Sequence, residues 1–457
     1  MLFAALLLTA CGGGGSSSGH PNSGFPGTPA GAQAGWLLGA VAHAPIPDAS
    51  IRAHFDSTFL ALVPPGRLNQ TLQGVGEPRL LSITTSEADR LVFLVAISGG
   101  RRFQVTLEAD SRGLIDGLLF SAPSAPSSGA DVPALAPGWV AQPVTFAAAG
   151  MPIYGTYTHP RTASARVPGA LLIQGSGDTD RNDNEPGFVV NTLAAVADWL
   201  SQDGVATLRY DKLASGETGA GPYAAHPDTI GIAPYEQEAA AALRFLADQS
   251  EVDPSRLAVV GHSEGGLYAL LLATGLAGKA PRVHALVLLE SQSLPILDHI
   301  RQQVTAQVTA QQRAGAISAA QARTFLGALS SAIAQVRTTG RLTGTVPGGL
   351  AATFNSGTAL YLHQDSFDPA VIAASLAPQT PVLLTCSNDD FQVSCADVDH
   401  LAGGLARAHA IVDFVHLVGV DHVLKEDSSR TSADYTQPLP FSSQLRAALR
   451  AFASAHL

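Results

Sequence analysis

The chain has 457 residues, 46% of them hydrophobic and 14% charged, with a formal net charge of -11. A single core seldom grows past roughly 250–300 residues, so this length predicts two folded domains with insertions, and the composition excludes a chain disordered throughout. An excess of 37 Asp and Glu over 26 Lys and Arg, without basic runs, excludes nucleic-acid binding, which needs cations clustered against phosphate.

Met1 to Ala10 is apolar and ends in Leu8-Thr9-Ala10-Cys11, ahead of a Gly/Ser tract from Gly12 to Gly19. The run is too short to span a bilayer. It resembles a bacterial lipobox, which implies removal of a leader, lipidation of Cys11 and a flexible tether behind it. On that reading the protein sits in the bacterial cell envelope, in the periplasm or at the surface, and meets the membrane only through its anchor. No Lys or Arg precedes the run, a departure from export leaders. Residues 1–35 are therefore expected to be signal and tether.

Residues 36–121 read as a small α+β domain. Ile51 to Leu62 has helical spacing, with Phe55, Phe59 and Leu62 on one face, and Pro65–Val75 suits a second helix. Four strand-like runs follow, Leu80–Thr84, Leu91–Ile97, Arg102–Leu107 and Ile115–Phe120, broken by Gly- and Asp-rich turns. Residues 122–138, rich in Ala, Pro, Ser and Gly, read as a linker.

From residue 139 to 457, strand and helix signals alternate. Short apolar strands such as Ala170–Ile173, Val205–Tyr210, Leu257–Val260, Val283–Leu289, Val382–Thr385 and Ile411–Val418 lie between amphipathic helices. This is the pattern of a mostly parallel sheet covered on both faces. Between about 294 and 377 a Gln- and Ala-rich helical stretch interrupts it and reads as a cap insertion.

Within this part, Gly261-His262-Ser263-Glu264-Gly265 follows the strand Leu257–Val260 and precedes an apolar helix. A G-x-S-x-G stretch in that context is a nucleophile elbow: the glycines leave room for a sharp turn, and Ser263 projects from the sheet edge. Its hydroxyl needs a base and the base needs an orienting acid. His422, just past the strand Ile411–Val418, is the base of choice among 14 histidines. The loop after Val382–Thr385 offers Asp389 and Asp390 as the acid, and Glu290 at the end of Val283–Leu289 is a more distant alternative. An oxyanion hole needs two backbone N–H groups; Glu264 supplies one and Gly177, or its neighbour Ser176, the other. Cys386 and Cys395 flank the acid loop. An oxidising compartment allows them to pair; otherwise they are two buried thiols.

Gly175-Ser176-Gly177-Asp178-Thr179-Asp180-Arg181 resembles the GSG-x-x-DR loop of bacterial secreted α/β-hydrolases. Leu208-Arg209-Tyr210-Asp211-Lys212 and Asp421-His422-Val423-Leu424-Lys425 are similar to motifs of the same group, esterases related to the dienelactone-hydrolase and serine-aminopeptidase branches. The resemblance covers about residues 140–457. It implies an α/β-hydrolase fold, and it favours Asp390 as the acid because Asp390-Phe391-Gln392-Val393 resembles the D-x-Q-V turn found at this point. It departs after Lys212, where the family continues with Arg-Gly and this chain has Leu213-Ala214-Ser215-Gly216. The expected activity is hydrolysis of small-molecule esters through an acyl-enzyme, with peptide or amide cleavage, or a non-catalytic surface protein on the same fold, as alternatives. No cofactor or metal is required by this chemistry, and the sequence has neither H-E-x-x-H nor a phosphate loop ending in Gly-Lys-Ser/Thr.

Overall fold

The computed structural model describes residues 24–73, 78–86, 88–96, 102–121, 132–162, 165–185, 188–223, 229–313, 315, 317–340, 342, 354, 358–430 and 432–457. Cys11 and the lipobox-like segment lie outside the described residues, as do 122–131 of the expected linker. The chain divides into two units, one of residues 127–306 and 356–457, the other of residues 2–126 and 307–355.

The N-terminal unit begins earlier than its composition suggests. Residues 29–35, expected to be tether, belong to helix α1, Pro29–Val41. Thr28 caps it by accepting the Gly31 N–H at 3.1 Å, and Pro29 occupies the first turn, where its missing N–H costs nothing. The buried positions Ala30, Ala34, Leu37 and Val41 keep helical spacing, but small residues make that stripe faint in sequence. The helix expected over 51–62 is two, α2 (Asp48–His54) and α3 (Ser57–Leu62). Phe55 between them is extended and bridges Ile115, while the Asp56 carboxylate accepts the Phe59 N–H. After α4 (Pro65–Gln73) come β1 (Arg79–Ser86), β2 (Arg90–Ala96), β3 (Arg102–Ala109) and β4 (Ile115–Ser121), an antiparallel meander. Its core holds Phe55, Phe59, Phe93, Leu107 and Ile115.

The other unit carries β5 (Trp139–Ala148), β6 (Met151–Pro160), β7 (Val167–Ile173), α5 (Thr192–Gln202), β8 (Ala206–Tyr210), α6 (Ile232–Ala247), β9 (Val252–His262), α7 (Gly265–Thr274) and β10 (Ala285–Leu289). Next in the chain come α8 (Ile296–Arg313) and α9 (Ala319–Thr339), the latter within the stretch 307–355 that belongs to the N-terminal unit. In the present unit α10 (Thr358–Gln364), α11 (Pro369–Ala373), β11 (Pro381–Ser387), α12 (Cys395–Arg407), β12 (Ile411–Leu417) and α13 (Ser443–His456) follow. The insertion expected at 294–377 is shared between the two units, because α8 runs across their division. No helix among the described residues is long and apolar enough to cross a membrane.

Eight strands form one sheet in the order β12-β11-β10-β9-β7-β8-β6-β5. Strands β7 to β12 pair in parallel, and β6 runs antiparallel to both β8 and β5. With the elbow after the central strand β9, this is the α/β-hydrolase fold. The period-2 alternation of each strand divides its side chains between two cores. Leu171, Ile173, Leu257 and Val259 face the layer of α6, α7 and α12, whereas Ala170, Leu172, Ala258 and Val260 face that of α5 and α13. Helix α7 is buried through Leu272 and packs on the sheet directly behind the elbow. The register pairs Leu289 with His262 and Ile173 with Gly261, so these three strands end at one edge.

Candidate active site

Ser263 stands between β9 and α7 with φ 52°, in the left-handed region that a non-glycine residue enters only when its surroundings hold it there. Its N–H donates to the Leu289 carbonyl at 3.0 Å, and its own carbonyl accepts the N–H groups of Gly266 and Gln292 at 3.1 and 2.9 Å. Two glycines are required by contact. A Cβ at Gly261 would meet the Gly265 carbonyl oxygen at 2.4 Å, and one at Gly265 would meet the Ile173 oxygen at 2.2 Å.

His422 lies in a turn after β12. Asp421 accepts the Lys425 N–H at 2.8 Å, and Lys425 Nζ donates to the carbonyls of Tyr435 and Gln437 at 2.9 and 2.8 Å, which fixes the loop on both sides of the histidine. His422 Nδ1 donates to Asp390 Oδ2 at 2.7 Å, and both residues are buried. The other oxygen of Asp390 accepts the N–H groups of Gln392 and Val393 at 2.6 and 3.1 Å. The Asp-Phe-Gln-Val turn thus orients the carboxylate through its own backbone.

The two remaining acid candidates separate by position. Asp389 turns away and accepts the Gly419 N–H at 3.0 Å. Glu290 does not reach the histidine; it sits behind Asp390, accepting the Ser387 N–H at 3.0 Å and the Thr385 hydroxyl at 3.2 Å. Complete burial, with the Asp390 charge beside it, holds the Glu290 carboxyl well above the usual carboxylate range. Cys386 and Cys395 are joined by a disulfide that closes the acid loop, with Cα atoms 5.2 Å apart.

A small cavity brings Ser263 and His422 together with Gly175, Ser176, Thr179, Asp183 and His262. Among the described residues no hydrogen bond joins the Ser263 hydroxyl to His422. Ser176 borders the cavity, and Gly177, with φ 90°, lies just past that lining. Glu264, whose backbone starts α7, sends its carboxylate away from the cavity to Gln364 Nε2 and toward Lys212 Nζ at 3.8 Å.

Two of the motifs read in the sequence, residues 175–181 and 208–212, are tied to each other. Arg181 donates from its backbone and its guanidinium to Asp211, and Lys212 Nζ donates to the Gly175 carbonyl. Where the chain departs after Lys212, Gly216 takes φ 48°, and a Cβ there would come within 2.3 Å of Asp211 Cγ. Leu213 donates its N–H to the buried Glu238, whose carboxyl burial pushes up to about 8.

Asp183 and His262 are the site residues that sequence reasoning missed. His262 stood inside the elbow motif, but its chain position gives no sign of a partner 79 residues earlier.

Residues 25–115 match the family described as ORF 12 gene product N-terminal. No curated protein matches the chain. Among solved structures the chain is similar to a mutant of the esterase rPPE, at 18% identity over 71% of this chain and 86% of that one, with a TM-score of 0.44. It is similar to a dienelactone hydrolase-like promiscuous phosphotriesterase from metagenomic libraries, at 16% identity over 70% of this chain and 98% of that one, TM-score 0.40. It is also similar to a Pyrococcus furiosus esterase, at 14% identity over 64% of this chain and 90% of that one, TM-score 0.41.

Proposed function

We propose that the protein is a serine hydrolase that cleaves small carboxylic esters through an acyl-enzyme. One observation carries this reading: a serine held at positive φ between strand and helix shares its cavity with a histidine that is oriented by a buried carboxylate. In the proposed reaction the Ser263 hydroxyl attacks the ester carbonyl carbon and its proton passes to His422 Nε2. Asp390 keeps Nδ1 protonated and stabilises the imidazolium that forms. The Glu264 N–H and an N–H of the Ser176-Gly177 stretch receive the developing oxyanion. The alcohol leaves with the proton from His422, and water then attacks the acyl-serine by the same route in reverse.

The test is labelling with a fluorophosphonate, comparing the intact protein with Ser263→Ala, together with turnover of p-nitrophenyl acetate. Labelling and turnover by the intact protein alone are expected. If the intact protein does neither, the hydrolase reading fails. We propose as well that Cys11 carries a lipid anchor in the bacterial envelope; labelled palmitate should be incorporated by the full chain and not by Cys11→Ala, and equal absence from both overturns it.

A further inference from the structure

Beside Ser263 stands a second histidine–carboxylate couple that the acyl-transfer steps do not use. His262 Nδ1 meets Asp183 Oδ2, and His262 Nε2 lies 2.8 Å from the backbone carbonyl of His422. Both partners are acceptors. A neutral ring has a single N–H and can satisfy one of them, whereas an imidazolium satisfies both. The other Asp183 oxygen accepts the Gly175 N–H at 2.9 Å. Asp183 holds these contacts from a left-handed backbone, φ 72°, so its loop is shaped around the carboxylate.

The couple therefore touches three separately positioned parts of the site. Gly175 follows β7, His262 ends β9, and His422 follows β12 at the far edge of the sheet. We propose that His262, as an imidazolium tethered by Asp183, is a positioning residue that fixes the His422 main chain and the Gly175 loop against Ser263. This rests on the reading of Ser263 as nucleophile. His262 cannot itself carry the reaction's proton, because both of its nitrogens are engaged.

The charged and titratable groups facing His262 are Asp183, the His422 ring at 5.0 Å between centroids, Asp390, and Lys212 through its contact with Gly175. Burial opposes a charge on His262, but the Asp183 carboxylate outweighs it and raises the ring above the ordinary histidine range. The clamp is complete below that raised value and loses a proton as pH rises through it.

The test is the pH dependence of fluorophosphonate labelling and ester turnover in the intact protein and in Asp183→Asn. The variant should lose roughly 10–100-fold in kcat with KM little changed, the scale expected when reacting groups are misplaced by about an ångström. Its loss of rate at alkaline pH should begin at lower pH, because the ring has lost its anion. Labelling at the intact rate with the same pH profile overturns the proposal. If Asp183→Asn does not fold, nitrogen-15 NMR of the intact protein decides: one of the 14 histidines should hold two protected ring N–H protons at about pH 6.5, where an ordinary histidine is half deprotonated, and finding none overturns it. An intact protein that does not label at all counts against the Ser263 reading instead, while the NMR result still tests the imidazolium.

Discussion

The two histidine–carboxylate couples around Ser263 have the same chemical parts and differ in what the second ring nitrogen faces. In His422–Asp390, Nδ1 is bound and Nε2 has no partner among the described residues, so the ring can accept a proton in the cavity. In His262–Asp183, Nε2 is bound to a carbonyl as well, so a proton taken from either nitrogen breaks a contact. On the reading proposed above, one couple moves a proton and the other keeps two. A histidine beside a carboxylate is therefore not assigned a role by its carboxylate; the partner of the opposite nitrogen decides.

That contrast breaks most sharply under isosteric loss of charge. Asp390→Asn preserves the shape of the acid loop but favours the wrong tautomer of His422, and kcat should fall on the order of 10⁴-fold. Asp183→Asn should cost the much smaller factor given above, because it loosens alignment and leaves the proton path intact. Steady-state turnover of p-nitrophenyl acetate by both variants checks the ranking; equal losses would mean that both couples take part in proton transfer.

The proposed nucleophile and the proposed proton-moving couple could be anticipated from the sequence because each residue follows a strand that its apolar run announces. Ser263 follows Leu257–Val260, Asp390 follows Val382–Thr385 and His422 follows Ile411–Val418, and a parallel sheet brings strand ends to one edge whatever the intervening chain does. The proton-keeping couple could not be. Asp183 lies in a loop with no periodicity, and its role depends on a left-handed backbone that the residue type permits without announcing. Helix α1 escaped for a related reason, since alanines and glycines bury a face as well as leucines do but leave no amphipathic trace. Choosing Asp390 over Asp389 drew on a family turn; spacing alone left them equal.

The couples also differ in how their loops are held. The Asp390 loop is closed by the Cys386–Cys395 disulfide, nine residues apart in sequence, whereas the Asp183 loop is held without a covalent tie, by hydrogen bonds and by the ion pairs of Arg181 with Asp211 and of Asp183 with His262. Replacing both cysteines by serine should cost about 2–3 kcal/mol of stability from the lost restraint on the unfolded chain. Calorimetric unfolding of the double variant would show it as a Tm lower by several degrees, and an unchanged Tm would mean that the loop is held without the bond.

On the Lys212 side, the Glu238 carboxyl is pushed up to about 8 by burial and so holds its proton in the folded state at neutral pH. The unfolded chain releases that proton near 4.5. Folding therefore takes up a proton between these values, and stability falls as pH rises from about 4.5 to about 8. Glu238→Gln keeps an oxygen for the Leu213 N–H and has no proton to lose. Its Tm should fall less steeply across that range than the parent's, by a few degrees at the upper end. Parallel slopes would place the proton elsewhere.

The smallest effect is expected at Glu290, where the contrast between moving and keeping a proton can be sharpened without touching either histidine. Asp390 accepts from His422, Gln392 and Val393, so the neutral Glu290 carboxyl can contact it favourably only by donating its proton. Glutamine supplies an N–H for that donation and a carbonyl for the Ser387 N–H, so Glu290→Gln should stay within about threefold of the parent kcat, less than the cost of one hydrogen bond. Alanine would leave the Ser387 N–H buried without its acceptor, at about 1–3 kcal/mol of stability, while the Thr385 hydroxyl would lose its acceptor but still receive the backbone N–H of residue 290. A loss on the scale of Asp390→Asn in the glutamine variant would instead make Glu290 an ionised member of the acid pair, and the proton-moving couple would then have two carboxylates behind one ring.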